Sequence, residues 1–144
     1  KRADLAIKAC TASKRPLVVV GDGQDYAALK AMAGPTVQFL GRLEADELRR
    51  QMLASRALIF PGEEDFGMVP VEVMAAGRPV IAFRKGGAME TVVEGETGLF
   101  FYEQSTGSLL AALDDFEARA DDFDPLAINA HARRFSPGHF DAAF

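Results

Sequence analysis

Residues 57–83 read ALIFPGEEDFGMVPVEVMAAGRPVIAF. Two short apolar runs, ALIF at 57–60 and VIAF at 80–83, bracket a loop and a helical pattern over 68–76. Apolar runs of this length, without polar alternation, read as strands buried on both faces. Working outward, the same kind of run recurs as LVVV at 17–20, VQFL at 37–40 and GLFF at 98–101. Helical patterns fill 24–33, 45–55 and 88–94 between them. Strand and helix therefore alternate, which predicts an α/β fold: a Rossmann-like parallel sheet flanked by helices on both sides.

The two ends extend this reading. RADLAIKACTAS places Leu5, Ile7, Ala9 and Cys10 at near-helical spacing, and a helix there should follow a strand that the chain lacks, so the first strand is expected to be missing. Beyond Phe101 a stripe of Leu109, Leu110, Leu113 and Phe116, a segment from Pro125 and the closing SPGHFDAAF make residues 102–144 a helical tail. No internal repeat or low-complexity stretch interrupts the pattern.

At 144 residues the chain is long enough for one domain with its own core. No apolar run approaches the roughly 18 residues of a membrane span, and no signal peptide opens the chain. Lys1 stands where an initiator Met would, so the chain reads as excised from something longer. The single cysteine, Cys10, excludes an intrachain disulfide and suits a reducing compartment, with the cytoplasm as the default. A net charge of -5 without a basic cluster lacks the footprint of a nucleic-acid binder and favours a small-molecule ligand.

The chemistry concentrates at the junction PGEEDFGMVPVE, Pro61 to Glu72. Parallel α/β sheets bind ligands beyond the carboxyl ends of their strands, where helix N-termini present free amides and a positive dipole end. Here the amides of Phe66, Gly67, Met68 and Val69 could face a phosphate, with Pro70 tolerated in the first helical turn. Gly67, lacking a side chain, would let a ligand approach the backbone. Glu63, Glu64, Asp65 and Glu72 make the same junction acidic. Carboxylates accept hydrogen bonds, and one can take an adjacent pair of sugar hydroxyls with charge-assisted strength. Backbone for phosphate and acids for hydroxyls together suggest a ligand carrying both. The plainer alternative is that acids beside a helix N-terminus only complement its dipole.

The wording of the stretch is more specific than its charge. Glu64, seven residues, then Glu72, set in PGEEDFGMVPVEVMAAGRPVIA, resembles the donor-site signature of retaining glycosyltransferases of the GT-B fold, group 1 type, which use nucleotide sugars. Both glutamates, Phe66, Gly67 and AAGRPVIA match that pattern; Gly62, Asp65 and Val73 replace its usual Ser, Gly and Ala. KRADLAIKA is similar to the family's lysine-plus-helix segment, VVVGDGQD to its Gly-x-Gly turn, VQFLGRLEADEL to its nucleotide-edge loop, and GGAMETVVEGETGLFF to its last donor-side loop. The acidic variant looks most like bacterial mannosyltransferases that build surface polysaccharide from GDP-mannose.

The resemblance implies a C-terminal donor-binding domain over 1–144 that partners an N-terminal acceptor-binding domain of the same protein. Glu72 would grip the ribose diol, and Glu64 would contact the transferred sugar as the catalytic carboxylate. The amides of Phe66, Gly67, Met68 and Val69 would meet diphosphate or sugar, and Gly23 would belong to the Gly-x-Gly turn. Arg42 and Leu43, with Glu44, would border the base. Lys1 matches the lysine that neutralises the diphosphate, whereas the family's partner arginine would sit upstream of this sequence. Leaving-group stabilisation by amides, lysine and helix dipole would carry the catalysis, with no cofactor and no metal. The resemblance leaves room for a location at the inner face of the membrane through the missing domain. It also leaves a UDP-glucose enzyme of the same fold, or a non-catalytic nucleotide-binding module. The isolated domain should bind donor and transfer nothing.

Other features read plainly. GDGQD at 21–25 is Gly-x-Gly after a strand, not a full dinucleotide fingerprint. The Asp-x-Asp within DDFD precedes Pro125, so Asp124 reads as an N-cap rather than a metal ligand. His131 and His139 in the tail read as surface or packing residues. Gly86 and Gly87 form a strand-to-helix turn on the donor side, and Cys10 reads as core.

Overall fold

The computed structural model describes residues 2–21, 23–63 and 68–135, with only the backbone described at Met68. The elements run α1 (Ala3–Ser13), β1 (Leu17–Val20), α2 (Tyr26–Met32), β2 (Val37–Gly41), α3 (Ala45–Ala54), β3 (Leu58–Phe60), α4 (Met68–Ala75), β4 (Val80–Phe83), α5 (Ala88–Thr91), β5 (Gly98–Phe101), α6 (Thr106–Arg119) and α7 (Pro125–Ala132), with short 3-10 turns at Ala120–Asp122 and Arg133–Phe135. The SPGHFDAAF end, including His139, lies outside the described residues.

Every strand pair is parallel. The strands fall into two groups, β1 with β2 and β3-β4-β5, and among the described residues nothing joins β1 to β3. β4, central in its group, is buried at all four positions. It packs beneath Val71, Val73 and Met74 of α4, which are 0–3% exposed. β1 departs from the expectation that each apolar run is covered on both faces. Val18 and Val20 are 43% and 38% exposed, while Leu17 and Val19 on the opposite face are half-buried. The cause is location: β1 is paired on one side only, and α3, which crosses back from β2 to β3, buries none of its residues fully.

Helix ends are set locally. Past α4, Gly77 at φ 80 accepts the left-handed turn that non-glycine residues avoid. Gly77 N–H donates to the Met74 carbonyl at 2.8 Å and Arg78 N–H to that of Val73 at 3.1 Å. The tail closes over this end, with Asn129 Nδ2 donating to the Ala75 carbonyl at 2.6 Å. α5 stops at Thr91, short of the expected 94, because the β-branched Val92 is extended (ψ 131) and Gly95 turns the chain at φ 83.

Asp124 caps α7, its Oδ1 accepting from Leu126 N–H at 3.0 Å with Pro125 in the first turn, as the sequence predicts. Asp124→Ala should therefore cost about 1 kcal/mol, read as a shift of the urea midpoint; an unchanged midpoint would remove the cap from the account. Cys10 is 2% exposed, and burial pushes its thiol pKa up, as suits an inert core residue.

Arg15 ties α1 to α6. Its Nη2 donates to Asp114 at 2.6 Å and its Nε to Glu117 at 2.8 Å. The hydrogen bond from Arg15 holds the Glu117 carboxyl below its ordinary pKa. A group whose folded pKa is depressed adds stability above its unfolded pKa and loses it as pH falls through the folded value. Acidification below the ordinary glutamate range should thus slacken this tether. The melting-temperature gap between the protein and Arg15→Met should be widest near neutrality and narrow towards about pH 3; a gap independent of pH would deny the ion pair that role.

Candidate donor-binding site

Because the strands of each group are parallel, the loops after β1 and β2 leave their group along one edge and those after β3 and β4 do the same in theirs, at the strand C-termini where α/β proteins bind their ligands. Gly21 N–H donates to the Gly41 carbonyl at 2.7 Å, and both glycines have positive φ, 119 and 69. That bond lies at a register shift in the β1–β2 pairing and ties the end of β1 to the end of β2, just ahead of Arg42 and Leu43. Arg42 is exposed and Leu43 half-buried. After β3, Pro61 and Gly62 are buried and Glu63 is exposed. Gln104 Nε2 reaches across from beyond β5 to the Pro61 carbonyl at 3.1 Å, anchoring the start of the acidic loop. Gly86 takes φ 70 in the loop after β4.

α4 opens at Met68 on the same edge, with Pro70 in its first turn, as expected. Val69, 46% exposed, and Glu72, also exposed, are three residues apart and share the helix's outer face. Pro70, Val71 and Val73 turn inward. Glu72 lines a cleft of about 360 Å³ between α3 and α4, together with Asp46, Leu48, Arg49, Met52 and Ala75. Among the described residues, the side chains of Glu72, Asp46 and Arg49 have no hydrogen-bond or ion-pair partner. The cleft therefore offers two free carboxylates and one free guanidinium above Leu, Met and Ala side chains, a lining able to take an apolar ring on its floor and hydroxyls or ring N–H groups at its rim.

Gly23 follows β1, Arg42 and Leu43 follow β2, and Val69 and Glu72 stand in the first turns of α4 after β3. Lys1, Glu64, Phe66 and Gly67 lie outside the described residues. Asp46 and Arg49 were not singled out in the sequence; their signal was their place one turn apart in the helix that follows the Arg42–Leu43 loop. A second cleft, about 370 Å³, borders Val93, Thr97, His131 and Arg134. Thr97 leads into β5, so this cleft sits at the opposite end of the strands from the donor loops. His131 there has a packing role, with Nε2 2.7 Å from the Thr91 carbonyl and its ring edge-on to Phe135. Among the described residues no group of three or more His, Cys, Asp or Glu could hold a metal ion.

This sheet, with helices on both faces and its loops along one edge, is the α/β fold of GT-B glycosyltransferase structures. The chain belongs to the family of glycosyl transferases group 1, whose pattern matches residues 1–132. It is 37% identical over 110 residues to the alpha-1,3/1,6-mannosyltransferase alg-2 of Neurospora crassa, covering 68% of this chain and 23% of that protein. It is 39% identical over 84 residues to a GDP-mannose-dependent alpha-mannosyltransferase of Mycolicibacterium smegmatis, covering 58% and 22%. Among solved structures, Anabaena HepE in complex with UDP-glucose superposes with a TM-score of 0.77 at 25% identity, over 96% of this chain and 41% of that one. The chain thus spans about a quarter of the length of the curated relatives it matches. Among the described residues no helix is long and apolar enough to cross a membrane.

Proposed function

We propose that residues 1–144 form the donor-binding domain of a retaining glycosyltransferase, and that the donor is a nucleoside diphosphate sugar, GDP-mannose in preference to others. The observation that carries this is the Glu72 carboxylate, which has no partner among the described residues and lines the α3–α4 cleft, in the helix that follows β3. In this reading Glu72 accepts the ribose hydroxyls and the Arg42–Leu43 loop borders the base. The first amides of α4 and Lys1 meet the diphosphate, and Glu64 lies against the sugar. An N-terminal domain of the same protein presents the acceptor hydroxyl, and the product is a polysaccharide or glycoconjugate. Pre-set amides and the helix dipole stabilise the departing diphosphate without reorganisation.

Mannose is supported by mannosyltransferases among the relatives, and the UDP-glucose complex of HepE supports the second reading, a UDP-glucose enzyme. Calorimetric titration with GDP-mannose, UDP-glucose, GDP and UDP separates them. The guanine ligands should bind at least about tenfold tighter, a difference of roughly 1.4 kcal/mol. The reverse order would transfer the assignment to UDP-glucose, and no binding of any of the four would remove it.

A further inference from the structure

We infer that α7 is a clasp that sets the spacing of α4 and α5, and that Asn129 and His131 are positioning residues for a ligand at the β3–β4 edge, acting through the last carbonyls of those two helices. α4 and α5 are neighbours by topology. Each crosses between adjacent parallel strands in the order β3-β4-β5, and right-handed crossovers that step in one direction put both helices on one face. Both therefore start at the strand C-termini, at Met68 and just past the Gly86–Gly87 turn, and end at the opposite end of the strands, at Ala75 and Thr91.

α7 lies across those two ends. It starts on the turn that closes α4: a Cβ added to Gly77 would stand 3.1 Å from the Pro125 carbonyl oxygen and 3.2 Å from Pro125 Cβ, so the absence of a side chain lets the two segments meet. The last carbonyls of a helix have no partner within it. Gly77 and Arg78 N–H groups satisfy those of Met74 and Val73, and the Ala75 carbonyl is left to Asn129 Nδ2, at 2.6 Å. At the end of α5, His131 Nε2 lies 2.7 Å from the carbonyl of Thr91, a residue buried from water. A carbonyl only accepts, so Nε2 carries the proton and donates. The buried stripe of α7 explains why its two polar residues reach different helices. Ile128 and Ala132 pack in the core that holds Val71, Val73 and Met74 of α4 and Ala88 of α5. At about 100° per residue, Asn129 and His131 stand roughly 80° to either side of that stripe.

The consequence reaches the other end of both helices. They are short, eight residues and four, so a shift where α7 holds them changes the separation where they start. There Val69 of α4 and the Gly86–Gly87 turn stand beyond the C-terminal ends of β3 and β4. A ligand lying between them meets a gap whose width α7 has fixed beforehand, which removes an ordering cost from binding. The positioning role rests on the reading of this edge as the donor site; the clasp itself does not.

Nitroxide labels at Val69→Cys and Met89→Cys, both exposed positions, report the α4–α5 separation through dipolar broadening in the chain without ligand; Cys10 is buried and should stay unlabelled. The Asn129→Leu, His131→Phe double variant keeps side-chain bulk and a ring against Phe135 but removes both donors. It should spread the label separation, and each single variant should show part of the effect. Exchanging His131→Phe for His131→Gln, which restores an N–H donor, should narrow the separation again. In titrations of the unlabelled chain, the double variant should bind GDP-mannose or UDP-glucose, whichever the chain takes, about tenfold more weakly. The matching nucleoside monophosphate, GMP or UMP, needs α4 alone and should bind within about twofold of its original affinity. A purely structural role would lower the melting temperature and leave both affinities of the folded chain in place. An unchanged label separation would overturn the clasp, whichever ligand binds. Equal losses for nucleotide sugar and monophosphate, or none for either, would overturn the positioning role. If the unsubstituted chain binds neither nucleotide sugar, the donor reading falls and the positioning role with it, while the label separation still decides the clasp.

Discussion

Gly98→Ala is expected to be strongly destabilising. A Cβ on Gly98 would stand 1.9 Å from the Val80 carbonyl oxygen and 2.9 Å from both the Val80 carbonyl carbon and Val92 Cγ1. Gly98 lies directly opposite Val80 in the β4–β5 register, and β4 is also paired to β3. The backbone cannot retreat without breaking one ladder to spare the other. Overpacking of a fixed core costs about 1–3 kcal/mol, and a clash with backbone belongs at or above the top of that range. Against a net stability of about 5–15 kcal/mol, such a loss should move the urea midpoint far down. Gly107→Ala is the control: it sits in α6 with nothing within 4 Å of the added carbon, and should be stabilising by up to about 1 kcal/mol through helix propensity. A Gly98→Ala midpoint close to that of the unsubstituted chain would mean the β4–β5 register is wrong.

The second large effect concerns the two glutamates. If Glu72 holds the ribose, Glu72→Ala should weaken a nucleoside diphosphate and the corresponding nucleotide sugar alike, by about 1.5–3 kcal/mol each for a lost charged hydrogen bond. Glu72 is exposed and has no partner among the described residues, so the substitution should leave the melting curve in place. Glu64→Ala should weaken the nucleotide sugar and spare the free diphosphate. In the complete enzyme its cost should fall mainly on turnover, as expected of a contact that strengthens in the transition state. Equal losses for both ligands in Glu64→Ala, or none in Glu72→Ala, would leave these acids as dipole partners only.

The sequence carried most of the fold wherever structure is decided locally. Alternation of apolar runs with helical patterns placed all five strands, and Asp124–Pro125 announced a helix start that side-chain geometry bears out. Burial was less legible. LVVV and VIAF look alike as strings, yet β4 is covered at every position and Val18 and Val20 are not. The difference lies in neighbours brought from elsewhere, which no local window contains. The candidate site divides in the same way. Glu72 stood out because its surroundings repeat a known pattern. Asp46 and Arg49 sit in a polar helix whose exposed residues resemble any solvated face, and only the packing of α3 beside α4 sets them opposite Glu72.

The central claim, that the edge formed by the strand C-termini holds a nucleoside diphosphate sugar, is tested most directly by titrating isotope-labelled chain with GDP-mannose and following backbone amide resonances. The account predicts saturable shifts at Gly23, Arg42, Leu43, Val69 and Glu72, with Thr97 and His131 at the opposite end of the strands unmoved. Shifts confined to the Thr97–His131 cleft, or none at all at millimolar ligand, would contradict it.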